Sequence, residues 1–186
     1  MNGSCHLPGL VLLEPVVHVD TRGWFYESYS ARELRGRGIE TTFVQDNHSH
    51  TDHKGVIRGL HYQRPPMDQA KLVRCTAGRI LDVAVDIRRG SPTYARWFGA
   101  VLSATDRKQL FIPRGFAHGF LTLEDDCEVQ YKIDNYYSRD HEKGIRFDDP
   151  DIGIEWGVEA PSLSEKDGKA PYLKECDNDF VWKDRP

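Results

Sequence analysis

Along this chain apolar residues come in short alternating runs, and Gly, Pro or Asp interrupts almost every run. Strand side chains point to opposite faces with a period of two, so the pattern reads as an all-β sandwich or barrel. Leu81, Val83, Val85 and Ile87 alternate with Asp82, Ala84 and Asp86. That predicts a half-buried strand, ended by the turn Arg89-Gly90-Ser91-Pro92. Phe98, Ala100 and Leu102 mark another strand, and Leu110 and Ile112 a third, stopped by Pro113. Val129, Tyr131 and Ile133 share one face of a fourth, with Glu128, Gln130 and Lys132 on the other. One helix is predicted near the front, where Ser30 and Glu33 fit a capping box and Gly36 and Gly38 would end it. Ser164-Glu165-Lys166-Asp167 opens either a short helix or a surface loop in the polar tail that begins at Pro161.

With 186 residues the chain is long enough for one domain with a sizeable core. Its net charge of −4 speaks against nucleic acid as a partner, because phosphate binding wants a broad basic face. No run approaches the ~20 apolar residues that span a bilayer. The apolar stretch Leu10-Val11-Leu12-Leu13 lacks the basic start and the length of a signal peptide, so a cytoplasmic protein is expected. Cys5, Cys75, Cys127 and Cys176 form no CxxC pair and are expected to be reduced thiols.

Eight histidines bring metal binding into question. Metal-dependent β-barrel enzymes of the cupin type carry an HxH pair on one strand and a further His in a PxGxxH motif. Pro113-Arg114-Gly115-Phe116-Ala117-His118 matches the second, but the first is broken, because Gln63 follows His61 where a His is needed. A divalent site wants three or four ligands, and only His61 and His118 are evident here. His48, His50 and His53 fall in a polar stretch, Asp46 to Lys54, that reads as a loop able to bind metal adventitiously. The expectation is a cupin-like framework without a functional metal.

The remaining groups suit proton transfer next to a ketone, which needs a base, a cation or donor for the developing enolate, and an acid. Imidazole is a suitable base near pH 7. A lysine ammonium can hold an enolate, and a tyrosine hydroxyl can return the proton from the opposite side. His61, Lys71 and Tyr131 are all predicted on strands, Tyr131 on an inward face. Each also has a plainer role open to it: His61 as a satisfied core histidine, Lys71 as an edge lysine with its head in water, Tyr131 as core packing, Asp167 as solvated surface. Arg22, Arg58, Lys71 and His118 could contact a diphosphate, and aromatics near Asn135-Tyr136-Tyr137 could stack on a base. Ordinary surface arginines and a sheet-edge aromatic pair would look the same. Spacing alone does not choose.

Several segments together resemble one family, the dTDP-4-dehydrorhamnose 3,5-epimerases. They are Phe43-Val44-Gln45-Asp46-Asn47, Arg58-Gly59-Leu60-His61-Tyr62-Gln63, Lys71-Leu72-Val73-Arg74, Asp82 to Arg88, Ile112 to Phe120, and Tyr131-Lys132. The resemblance runs from about Glu14 to Pro171. It implies a jelly-roll β fold over one domain, residues 1–186, a homodimer, no metal and no organic cofactor. It also implies that the N-terminal segment contacts the dimer partner and that the tail 161–186 partly folds over the site. By motif position it assigns His61 as base, Asp167 as its partner, Lys71 as enolate stabiliser and Tyr131 as proton donor. It assigns Arg22, Glu27, Gln45, Asp46, Asn47, Arg58, His118, Glu142 and Lys166 to substrate contact, and Tyr137 to stacking on thymine. The implied reaction inverts C3 and C5 of dTDP-4-dehydro-6-deoxy-D-glucose. Phe147-Asp148-Asp149 departs from the Trp-Asn-Asp that many members carry.

Three alternatives compete with that reading. One is an epimerase of a single carbon, C3 or C5. The others are a metal-dependent cupin oxygenase and a non-catalytic sugar-nucleotide binder. A structural expectation accompanies the site. Arg58 and His61 have opposite parity, so both can face one ligand only if the strand is irregular, and Gly59 is the natural place for a bulge.

Overall fold

The computed structural model describes residues 7–183. Twelve strands form in chain order: β1 Val11–Leu13, β2 His18–Asp20, β3 Gly23–Phe25, β4 Gln45–Thr51, β5 Ile57–Gln63, β6 Lys71–Ala77, β7 Arg79–Asp86, β8 Trp97–Ser103, β9 Gln109–Ile112, β10 Phe116–Thr122, β11 Cys127–Ile133 and β12 Glu142–Gly144. Two short helices, α1 Ala31–Gly36 and α2 Glu165–Gly168, and a 3-10 turn at Leu173–Glu175 complete the elements. No helix among the described residues is long and apolar enough to cross a membrane.

Two five-stranded antiparallel sheets face each other in a cupin-like jelly roll, one in the order β1-β9-β6-β11-β4, the other β12-β5-β10-β7-β8. The inner faces meet through Val73, Cys75, Leu110, Ile112 and Val129 from the first sheet and Ile80, Ala84, Leu102, Phe116 and Phe120 from the second. The alternation that predicted β8, β9 and β11 is the alternation that builds this layer, whereas β7 turns Ile80 and Ala84 into it and its predicted apolar face, Val83, Val85 and Ile87, to the other side. β2 and β3 form a separate hairpin outside both sheets.

β7 differs from expectation. It is not half-buried: Asp82, Ala84 and Asp86 lie inside as fully as Val83 and Val85. The reason is the chain after β12, which folds back over the outer face of the second sheet. There Ile145, Ile152, Trp156, Leu173 and Phe180 pack on Leu60, Tyr62, Val83, Val85 and Ile87. Buried Asp149 fixes this cover, accepting from the backbone N–H groups of Asp151, Ile152 and, at 2.6 Å, Leu173.

The stretch from Asp46 to Lys54 is a second correction. His48 and His50 lie on β4, an edge strand, and not in a loop; His53 follows in a turn. β4 has almost no apolar residues because one face meets a polar cavity and the other meets solvent, so periodicity gave no signal. α1 is as expected, with Ser30 Oγ accepting from Glu33 N–H, and it covers the outer face of the first sheet through Leu34. Cys75, Cys127 and Cys176 are free and buried; Cys5 lies outside the described residues.

Candidate active site

One end of the space between the sheets holds polar side chains in place of apolar ones. Lys71 has the inward parity of Val73 and Cys75, and Tyr131 that of Val129 and Ile133. The resulting cavity, about 460 Å³, is lined by Arg58, His61, Lys71, His118, Tyr131 and Asp167 among others.

His61 reaches this cavity through an irregularity in β5. His61 pairs with His118 and Arg58 with Phe120, so Gly59 and Leu60 on β5 oppose Gly119 alone on β10. This two-against-one bulge reverses the parity and puts Arg58 and His61 on one face. Gly59 has φ +130°, and a Cβ there would stand 2.6 Å from Gly119 Cα and 2.8 Å from the His118 carbonyl oxygen. Only glycine fits. Arg58 is held toward the cavity by Thr51 Oγ1 at 3.1 Å and the His50 carbonyl at 3.0 Å.

His61 Nε2 lies 2.6 Å from Asp167 Oδ1. Asp167 is carried by α2, whose first turn is capped by Ser164 Oγ accepting from Asp167 N–H. Its other oxygen accepts from Gly59 N–H at 3.4 Å, so the bulge also orients the carboxylate. Burial would raise the Asp167 pKa, but the His61, Ser164 and Gly59 hydrogen bonds outweigh it and hold the group below the usual carboxylate range. An ionised Asp167 accepts a hydrogen bond from Nε2–H and leaves Nδ1 as the basic nitrogen of a neutral ring.

Burial lowers Lys71 to about 8, against the charges of Asp82 and Glu142, which raise it. Burial raises the Tyr131 hydroxyl, so it stays a proton carrier at neutral pH. His118 is buried, and desolvation lowers its pKa despite the Asp82 carboxylate 2.7 Å from Nε2. At the mouth, Glu142 accepts from Tyr137 Oη at 2.9 Å and pairs with Lys166 Nζ at 2.6 Å. Those two bonds hold Glu142 ionised against the effect of burial.

The other residues singled out from the sequence are more scattered. Gln45 and Asn47 share the inward parity of Ser49, and Gln45 Nε2 donates to Asn47 Oδ1 at 2.8 Å. Asp46 is on the outer face of β4, paired with Lys132 at 2.8 Å. Glu27 is exposed and lines a different hollow, with Tyr29 and Arg37. Arg22 sits on the β2–β3 turn, its side chain 88% exposed and bonded to Asp20. Neither Arg22 nor Glu27 reaches the cavity of its own chain. Among the described residues no cluster of three His, Cys, Asp or Glu side chains is disposed to hold a metal.

Sequence reasoning missed two residues at the site. Ser164 caps α2; its Ser-x-x-Asp spacing was a usable signal. Asp82 underlies His118, and its alternation with apolar neighbours had marked it as solvent-facing.

Known proteins share this architecture and sequence. The model of the dTDP-4-dehydrorhamnose 3,5-epimerase family matches residues 4–175. A dTDP-4-dehydrorhamnose 3,5-epimerase of Shigella flexneri is 52% identical over 164 residues, covering 87% of this chain and 89% of that one. The crystal structure of such an epimerase from Bacillus anthracis, with TDP and PPi bound, superposes with a TM-score of 0.89 at 45% identity, over 91% of this chain and 97% of that one. A Legionella pneumophila dTDP-6-deoxy-D-glucose-3,5-epimerase in complex with dTDP-4-keto-L-rhamnose superposes with a TM-score of 0.88 at 44% identity, over 92% of each chain. This jelly roll, with its two His–Asp pairs, lysine and tyrosine around one cavity, belongs to the dTDP-4-dehydrorhamnose 3,5-epimerase family of isomerases.

Proposed function

We propose that the chain inverts C3 and C5 of dTDP-4-dehydro-6-deoxy-D-glucose, giving dTDP-4-dehydro-6-deoxy-L-mannose, with His61 as the base. The observation that carries this reading is the convergence of His61–Asp167, Lys71 and Tyr131 on one cavity at the end of the sandwich. The C4 ketone acidifies the protons on C3 and C5. His61 Nδ1 removes one, and the imidazolium that forms is stabilised by Asp167. The electron pair moves into the ketone, and the enolate oxygen is held by the Lys71 ammonium. Tyr131 returns a proton to the opposite face of the carbon; once His61 has released its proton to solvent and Tyr131 has regained one from it, the cycle repeats at the second centre. No step calls on a metal or an organic cofactor.

Arg58 and Lys166 at the cavity edge supply positive charge for the diphosphate, and Tyr137 at the mouth offers a face for the thymine ring. The relative bound to dTDP-4-keto-L-rhamnose supports this class of ligand. The working molecule is a cytoplasmic homodimer in which the β2–β3 hairpin of one copy lies against the other. Arg22 and Glu27, remote from their own cavity, complete the partner's site. The segment from Pro161 through α2 serves as the cover of the substrate.

Incubating dTDP-4-keto-6-deoxyglucose with the protein in deuterated water tests the reaction. Proton NMR is expected to show deuterium at both C3 and C5, and label at one carbon only would reduce the activity to a single epimerisation. His61→Asn is expected to lower exchange by at least ~10³-fold, in line with loss of a general base, while dTDP still binds. Exchange at the wild-type rate in that variant removes His61 from the role.

A further inference from the structure

Asp82 lies in the middle of β7, between Ala100 on β8 and Phe120 on β10, and is 0% exposed. Its Oδ1 accepts from His118 Nε2 at 2.7 Å. Its Oδ2 is buried without a hydrogen-bond partner, a state shared by only one other side-chain atom among the described residues, Arg107 Nε. An unpaired carboxylate oxygen in an apolar layer is costly, and a neutral side chain there would fold more cheaply. The charge therefore answers to something inside the cavity. The cavity's unpaired cation is Lys71, whose ammonium makes no ion pair or hydrogen bond among the described residues and lies in the Coulombic field of Asp82 and Glu142. The remaining ionisable groups of the cavity are Arg58 and His61 on β5, His118 on β10, Tyr131 on β11, and Lys166 and Asp167 on α2. Of the carboxylates, Asp167 is engaged by His61 and Glu142 by Lys166, while Asp82, bonded to His118 through Oδ1, keeps a buried Oδ2 without a partner.

We propose that Asp82 is a positioning residue acting through two neighbours: its carboxylate is the buried counter-charge that holds Lys71 as an ammonium, and its hydrogen bond fixes His118 with Nε2 as donor and Nδ1 as acceptor. This rests on the reading of Lys71 as the enolate-binding cation. It also changes the part His118 can take. A neutral imidazole with its lone pair at Nδ1 accepts a hydrogen bond from a sugar hydroxyl and offers no charge to a diphosphate.

Asp82→Asn tests the proposal, because the carboxamide oxygen can still accept from His118 while the charge is gone. The pH profile of kcat/KM for exchange is expected to keep its shape but move its alkaline limb to lower pH by about one unit, as Lys71 loses its proton more readily. A purely structural defect would lower the whole profile and leave the limb in place, and that result overturns the proposal. Should Asp82→Asn fail to fold, Asp82→Ser, which removes the same charge from a smaller side chain, answers the same question: its alkaline limb is expected to move to lower pH, and an unmoved limb overturns the coupling. If Lys71→Met itself exchanges at the wild-type rate, the enolate assignment fails. If Lys71→Met is inactive and the Asp82→Asn limb stays put, only the present inference fails.

Discussion

Lys71 carries a conflict that fixes the working pH of the site. Burial pushes its pKa from 10.5 to about 8, against the attraction of Asp82 and Glu142. In the proposed mechanism the ammonium, not the amine, holds the enolate, so on the alkaline side activity is expected to fall as pH rises through about 8. Tyr131, raised by burial, remains a proton donor across this range and does not set the limb. A profile of kcat flat to pH 10 would assign the enolate to another group. Much of this residue set was legible from sequence: His61, Lys71 and Tyr131 stand in family motifs, and the inward parity of Tyr131 follows from Val129 and Ile133. Asp82 was not legible. Its pattern is the same whether a strand faces water or a buried polar pocket, and here the face it shares with Ile80 and Ala84 is closed by the opposing sheet.

Single elements decide whether those residues meet. The β5 bulge turns Arg58 and His61 to the same face and lends the Gly59 N–H to Asp167. Gly59→Ala puts a methyl into Gly119 and the His118 carbonyl at a backbone angle that side chains rarely adopt. It is expected to cost about 3 kcal/mol or more, read as a lower denaturant midpoint at unchanged slope. A variant of wild-type stability would mean that β5 can pair without its bulge. α2 is the other such element. With only four residues it owes its shape to the Ser164 cap and to Asp167 itself. Ser164→Ala is expected to lose about 1 kcal/mol of local stability and to lower kcat roughly tenfold by loosening Asp167. Unchanged kcat would show that the His61 and Gly59 bonds suffice to hold it. Here the sequence was half-legible: parity demanded an irregular strand and glycine marked its place, while the tail left helix and loop equally open. The polar strand β4 was hidden because its inward residues face a cavity and not a core.

At the scale of the whole molecule the β2–β3 hairpin leaves apolar surface uncovered. Trp24 and Phe25, 58% and 65% exposed, sit on a hairpin with Val16 and Val19 also uncovered nearby. Burying each aromatic against a second copy would contribute about 2–3 kcal/mol, and two-fold symmetry counts each contact twice. Nothing in the sequence alone separates such residues from misplaced core, since apolar alternation is the same on an arm as in a sheet. Arg22 rides on the same hairpin, outside its own cavity. If it completes the partner's site, Arg22→Ala and His61→Asn each disable a site, yet they disable different halves of it. In a mixed dimer, one site combines the intact His61 of the first variant with the intact Arg22 of the second, while the other site carries both lesions. Co-expressing the two variants is therefore expected to restore about a quarter of wild-type sites, since random pairing makes half of the dimers mixed and each mixed dimer has one good site of two. Trp24→Asp should abolish that recovery and lower the mass seen by sedimentation to that of one chain. Two inactive variants that stay inactive when co-expressed, in a protein that sediments as a dimer, would place Arg22 in the site of its own chain.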